Sequence, residues 1–507
     1  MGREPVKARA SVHRDFRISQ IDGRIYSAFL EHLGRAVYGG IYEPGHPTAD
    51  ADGFRGDVLD LVRDLNLPLV RYPGGNFVSN YDWVDGIGPR DKRPVRLDYA
   101  WRTTETNAVG TDEFVRWCRK AGTAPMLAVN LGSKGFSEAL AMLEYCNHPG
   151  GSYWSDLRRK NGSKEPHNVR VWCLGNEMDG PWQMNHRTAY EYGRIANEVG
   201  RGMKTFDSSL ELVACGSSHA NMPTYPAWEA EVLTECYDAV DYISLHTYWD
   251  NFDNDYLNFV AQSVPLDRYI HTVGGIIDFV KAKKRSKHDV FISFDEWNVW
   301  YHNRKQDAKA IASWDWPEAP PLLEDVYNFE DVLLVGCAIN TFIRRSDRVK
   351  VACIAQLVNV IAPIMTENGG PAWRQTTYHP LRYASLYGRG DALGVAIDAP
   401  TYDCKVADEV PYLDAAAVRS EDGKTVTFFL VNRHPDQALT LELDMAGFAP
   451  NAIAEHVTIA HPDLKATNTA KHPDRVRPAK GKGIAVRDGA VRGKLPPRSW
   501  HMIRVAV

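Results

Sequence analysis

Through roughly the first 390 residues, short apolar runs alternate with stretches of helical periodicity, and a polar side chain stands at or just after the end of each run. The runs are residues 25–30, 67–71, 125–130, 169–174, 210–215, 242–245, 290–294 and 350–356. A strand that is apolar at successive positions shows neither face to water, which is the pattern of parallel strands covered on both sides. Between the runs lie amphipathic segments. Residues 56–65 place Val58, Leu59, Val62 and Leu65 on one face, and residues 111–121 open on a capping Thr and stop before Gly122. Residues 187–206, 227–237, 267–284 and 324–345 follow the same pattern. Eight strand candidates alternating with helical stretches predict a (β/α)8 barrel, an α/β fold of the TIM type.

The residues at the strand ends sharpen this. They are Glu31, Arg71 with Asn76, Asn130, Asn176 with Glu177, Ser217, His246 with Tyr248, Glu296 and Gln356. In a barrel these ends share one rim, where an active site is built. After residue 390 the texture changes to short strand patterns at 413–419, 425–432, 439–443, 456–459, 484–486 and 500–505, separated by turn residues. That predicts an all-β, jelly-roll-like sandwich. The expected organisation is a barrel over 21–389 and a sandwich over 390–507, with an N-terminal strand segment (1–20) that joins the sandwich. The basic stretch 471–482 reads as a solvated loop.

Composition narrows the partners. The net charge is only −5, which supplies no attraction for nucleic acid or an anionic membrane. The N-terminus lacks the apolar core of a secretory signal, and no apolar run is long enough to cross a bilayer. Eight scattered Cys form no CxxC pair and read as reduced core thiols. The expected location is the cytoplasm. Fourteen Trp and 23 Tyr are a rich aromatic supply; much of it belongs to the core, but aromatic platforms also suit sugar faces.

Two runs end in a glutamate: one at Asn176-Glu177 and one at Asp295-Glu296. Paired carboxylates on one rim are the equipment for cleaving a glycosidic bond. Trp172, Met178 and Trp182 surround Glu177 in sequence, an apolar setting that raises a carboxyl pKa and suits a general acid. Glu296, ionised, suits a nucleophile. Asp295 competes for that role, but alternation along a strand predicts that it points to the opposite face. Each glutamate also has a plain structural reading, as a surface carboxylate or an arginine partner. A metallo-hydrolase is a further alternative. His32, His219 and His246 form no His-x-His pair or HExxH helix, so no metal is expected, and His32 and His219 read as hydrogen-bonded structural residues.

Seven blocks of the sequence then resemble one family. They are FLEHLGRAVYGGIYEPGH (29–46), RYPGGNF (71–77), LDYAW (97–101), WCLGNEMDGPW (172–182), SLHTY (244–248), FDEWNVWY (294–301) and AQLVNVIAPIM (355–365). Together they resemble the family 51 glycoside hydrolases, retaining α-L-arabinofuranosidases of clan A, and they span the barrel from end to end. The resemblance implies that Glu177 is the acid/base and Glu296 the nucleophile. It implies that Glu31, Arg71, Asn76, Asn176, His246, Tyr248 and Gln356 clamp the furanose, with Trp101 and Trp300 as aromatic walls. It implies an arabinose-containing oligosaccharide substrate, no cofactor, and a homo-oligomer, hexamer or trimer. Thr247 departs from the family's pattern, where many relatives carry Gln. Another retaining glycosidase on the same barrel, such as a β-xylosidase or endoglucanase, and a non-catalytic sugar-binding barrel remain alternative readings.

Overall fold

The computed structural model describes residues 6–507. Its centre is a closed barrel of eight parallel strands: β1 (Ser27–Phe29), β2 (Leu69–Tyr72), β3 (Ala124–Val129), β4 (Val171–Leu174), β5 (Glu211–Ala214), β6 (Tyr242–Trp249), β7 (Phe291–Val299) and β8 (Val349–Ala355). Spatial order follows chain order around the ring, and β8 closes onto β1 through Cys353, Ile354 and Ala355. Every strand is therefore parallel to both neighbours, and all eight C-terminal ends open on one mouth.

Four elements depart most from the sequence expectation. The first run is mostly not strand. Asp22 accepts the Arg24 N–H at 3.0 Å and starts a 3₁₀ turn, Gly23–Tyr26, so β1 keeps only three residues. At the other extreme, β6 and β7 continue past the predicted ends at 245 and 294, to Trp249 and Val299. Polar residues interrupt the apolar pattern there, but they face a lined interior rather than water, so the ladder continues. Finally, the helix expected to begin at residue 324 begins at Phe329. Asn328 caps it, accepting the N–H groups of Glu330 and Asp331. The preceding Asp325 instead accepts the N–H groups of Tyr301, His302 and Asn303, pinning the loop after β7.

The second unit is one ten-stranded sheet that curls around its own core of Ala10, Leu413, Phe428, Leu441 and Ile503. Its middle is supplied by the N-terminal strand Val6–Gln20, which pairs antiparallel with Asp391–Asp398 and parallel with Leu439–Ala446. The helix Phe329–Arg344 lies between sheet and barrel and is buried through Ile343. Asp414 of the sheet receives Asn340 (2.6 Å), Arg344 (3.2 Å) and Arg433 (2.8 Å) beneath this helix. All eight Cys are free thiols and all but Cys404 are buried. Among the described residues no helix is long and apolar enough to cross a membrane.

Candidate active site

Arg71, the third residue of β2, organises the mouth. One amino group donates to Glu296 Oε1 at 2.7 Å and the other to Asn176 Oδ1 at 2.6 Å. The guanidinium lies over the Phe29 ring, 4.6 Å from its centre, so it reaches inward along an apolar wall, with Nε facing Asp295 at 3.8 Å. The second oxygen of Glu296 accepts Tyr248 OH at 2.8 Å. Both oxygens of this carboxylate are thus aimed by donors, one of them a buried cation.

Glu177 arrives from the loop after β4. The strand ends at Leu174, Gly175 follows with φ +91°, and Glu177 itself sits at φ +42°. That left-handed pair of turns points the carboxyl back across the mouth. Its Oε1 lies 2.9 Å from His246 Nδ1, and its Oε2 accepts the Trp182 indole N–H at 2.7 Å. One carboxylate oxygen of Glu177, one of Glu296 and a nitrogen of His246 all lie within 4.8 Å of one another. Carboxyls in retaining glycosidases stand about 5–5.5 Å apart and those in inverting ones about 6.5–9.5 Å; the spacing here belongs with the former.

His246 ties the two acids together. Nε2 lies 2.8 Å from Asp295 Oδ1, and Nδ1 also faces Glu296 at 3.6 Å. Burial alone would strip its proton, but Glu296, Asp295 and Glu177 outweigh that and push its pKa up to about 10. That favours the imidazolium form, with both nitrogens placed to donate to the surrounding carboxylates. For Asp295 burial would raise the pKa, but Arg71 and His246 prevail and hold it below the usual carboxylate range. Glu177 goes the other way. Burial raises it, the His246 hydrogen bond pulls it back, and the charge of Glu296 raises it again, for a net upward shift.

One sequence expectation fails here. Asp295 and Glu296 do not face opposite sides: both are buried, and both address Arg71 and His246. The ladder explains it. Pairing with β6 jumps between Ser293 and Glu296, and pairing with β8 jumps between Phe294 and Trp297. This bulge adds a residue and cancels the alternation, so two neighbouring acids enter the interior.

The remaining candidates line the same mouth. Glu31 Oε1 accepts the Phe77 N–H (2.9 Å) and the Trp101 indole N–H (3.1 Å), and Oε2 accepts Gln356 Nε2 (3.3 Å). Gln356 in turn accepts the Glu31 N–H at 2.9 Å. Burial first, then Glu296, pushes the Glu31 pKa up to about 8, although the Phe77 N–H opposes. This close approach needs Gly75, where a Cβ would stand 2.4 Å from Glu31 Oε2. Trp101 comes from a hairpin of Arg96–Asp98 and Thr103–Glu105. Trp300 meets the Tyr248 ring edge-on at 5.5 Å, and the Arg304 guanidinium covers it at 4.4 Å. Asn76, half-buried, opens the 3₁₀ turn Asn76–Asn80, and among the described residues its side chain makes no hydrogen bond to the protein. His32 lies behind the clamp between Glu105 and Tyr72, and His219 accepts the Asn221 N–H in its own loop. The polar part of Trp182 escaped the sequence reading, which saw only an apolar flank. No local signal marks its N–H as the partner of Glu177.

Comparison with known proteins places this geometry. Two family models match, one described as alpha-L-arabinofuranosidase 1 domain over residues 61–263 and one as alpha-L-arabinofuranosidase C-terminal domain over 295–499. An intracellular exo-α-(1→5)-L-arabinofuranosidase from Halalkalibacterium halodurans is 56% identical, covering 97% of this chain and 98% of the relative. An exo-α-(1→6)-L-arabinofuranosidase from Bifidobacterium longum is 47% identical over 98% of this chain and 97% of its own. Among solved structures, a family 51 α-L-arabinofuranosidase from Bifidobacterium longum superposes with a TM-score of 0.94 at 44% identity, covering 99% of both chains.

Proposed function

The chain belongs to the family 51 α-L-arabinofuranosidases, retaining glycoside hydrolases that act on terminal arabinofuranosyl residues, and from that premise we propose how its rim residues divide the work. Glu296, aimed by Arg71 and Tyr248, attacks the anomeric carbon. Glu177 gives its proton to the departing oxygen as that bond breaks, leaving an arabinosyl ester on Glu296. Water then attacks the anomeric carbon, breaking its bond to Glu296, Glu177 takes the water's proton, and arabinose leaves with its configuration retained. Formation of the ester removes the negative charge on Glu296. That charge is one of the influences raising Glu177, so its loss lowers the pKa of Glu177 just when a base is needed.

The furanose lies among Glu31, Asn76, Asn176, Tyr248 and Gln356, with Trp101 and Trp300 as side walls. Asn176 presents its oxygen to Arg71 and one amide N–H to Gln183 at 3.5 Å, which leaves the other N–H for the sugar 2-hydroxyl. His246 belongs to this set as the cation that spaces the two acids. The observation that carries the reading is the approach of Glu177 and Glu296 to within 4.8 Å across His246. Glu177→Ala will slow arabino-oligosaccharides far more than activated aryl arabinofuranosides. Glu296→Ala will abolish turnover of both, and near-normal activity in that variant would remove Glu296 from its role.

Three relatives above 50% identity carry exo-α-(1→5) names, and this supports α-1,5-linked arabino-oligosaccharides as the substrate. Comparing arabinobiose with a 1→6-linked counterpart tests the choice: a preference for the latter contradicts it. The word intracellular in those names supports a cytoplasmic enzyme working on imported oligosaccharides. A homo-oligomer, trimer or hexamer, is part of the same proposal, and light scattering reads it directly.

A further inference from the structure

The backbone at Glu177 lies in a region that residues with a Cβ seldom occupy, so something must hold it there. The turn itself is closed by the Gly180 N–H on the Glu177 carbonyl at 2.8 Å. Two residues beyond Glu177, the buried Asp179 reaches sideways to the loop that follows β5. Both of its oxygens accept the Ser218 N–H, at 3.2 and 3.0 Å, and the Ser218 hydroxyl donates to Oδ1 as well. The loop it grips is itself anchored. Ser217 N–H donates to Glu229 at 2.8 Å, on the helix Ala227–Cys236, and Tyr269 OH donates to the Ser217 carbonyl at 2.9 Å. Below, Tyr192 staples the strand ends, donating to the Leu174 carbonyl and accepting the Cys215 N–H, each at 2.7 Å. Glu296 has no share in this system; its supports are β7, Arg71 and Tyr248.

We propose that Asp179 is a positioning residue for proton transfer, locking the Glu177 turn onto Ser218 so that the carboxyl meets the leaving oxygen. The proposal rests on the reading of Glu177 as acid/base. Freed from Ser218, the turn relaxes toward an ordinary backbone conformation and the carboxyl moves off the leaving group, while the nucleophile stays in place. The defect therefore falls on substrates whose leaving oxygen needs a proton. A staple with a merely structural role would weaken all substrates alike.

The test compares kcat/KM on α-1,5-arabinobiose and on 2,4-dinitrophenyl α-L-arabinofuranoside for Asp179→Ala, Ser218→Ala and, as reference, Glu177→Ala. Ser218→Ala keeps the backbone N–H on Asp179 and so serves if the aspartate variant does not fold. For arabinobiose the expected loss is on the order of 10²-fold in Asp179→Ala and roughly tenfold in Ser218→Ala. The dinitrophenyl substrate keeps near wild-type kcat/KM in both. Equal losses on the two substrates, or no loss on either, overturn the proposal if Glu177→Ala shows the selective loss. If Glu177→Ala lacks that selectivity, the assignment of Glu177 fails first, and this proposal with it.

Discussion

Glu177 sits between opposing influences. Burial and the charge of Glu296 favour its neutral form, and the N–H groups of His246 and Trp182 favour its anion, with the balance upward. A group whose pKa is raised keeps its proton until pH climbs through the shifted value. In the acid role proposed for it, Glu177 therefore stays active above the ordinary carboxylate range and fails on the alkaline side. With a dinitrophenyl substrate, whose leaving group needs no proton, Glu177→Ala will lack the alkaline limb of the kcat/KM profile that wild type shows with arabinobiose. Trp182→Phe removes one donor to the anion, so the alkaline limb will move to higher pH; a downward move contradicts the hydrogen bond as described. The sequence made Glu177 and Glu296 conspicuous because each terminates a β-rich apolar run. It could not show what Trp182 does, because an indole N–H finds its partner only through the turn at Glu177. Asp295 was misjudged for a related reason: alternation is a local rule, and a bulge is set by both neighbouring strands.

At the scale of elements, the barrel was legible because its signal is local. Apolar runs and amphipathic helices alternate, and each needs only its own window of sequence. Strand lengths were less legible. β6 and β7 run on through His246 and Glu296 because the barrel interior satisfies these polar groups, and no single segment reveals that interior. Loops matter as much as strands here. The turn after β2 passes so close to Glu31 that Gly75 has no room for a side chain. Gly75→Ala will displace the Glu31 carboxylate from Phe77 and Trp101 and lower kcat/KM on the order of 10²-fold. The melting temperature will change little, because the atom displaced is the end of a side chain rather than backbone. A large drop in melting with intact kcat/KM would show that the glycine serves folding and not the clamp.

On the scale of the whole molecule, barrel and sheet are joined beneath the helix Phe329–Arg344 by a buried charge cluster. Burial would raise Asp414, but Arg344 and Arg433 hold it below the usual carboxylate range. A depressed carboxylate contributes stability that is present above its unfolded pKa and lost as pH falls through its folded one. Acid will therefore loosen this junction. Asp414→Ala leaves Arg433 buried without its anion and will lower stability by about 3–5 kcal/mol, measured by denaturant unfolding near neutral pH; a change below about 1 kcal/mol would mean the cluster is solvated. The N-terminal strand was recognisable as a strand from its own residues, but its neighbours Asp391–Asp398 and Leu439–Ala446 lie at the other end of the chain. Such pairings are chosen by the assembled sheet. The same property of the whole molecule brings Glu177 and Glu296 together, since only a closed ring of parallel strands gathers their ends on one mouth. The most direct test is to let Glu177→Ala react with 2,4-dinitrophenyl α-L-arabinofuranoside, digest the protein, and locate the accumulated ester by mass spectrometry. One arabinosyl unit on Glu296, within the peptide covering 291–299, is the predicted result. A label on Glu31 or Asp295, or no label with product of inverted configuration, would contradict the account.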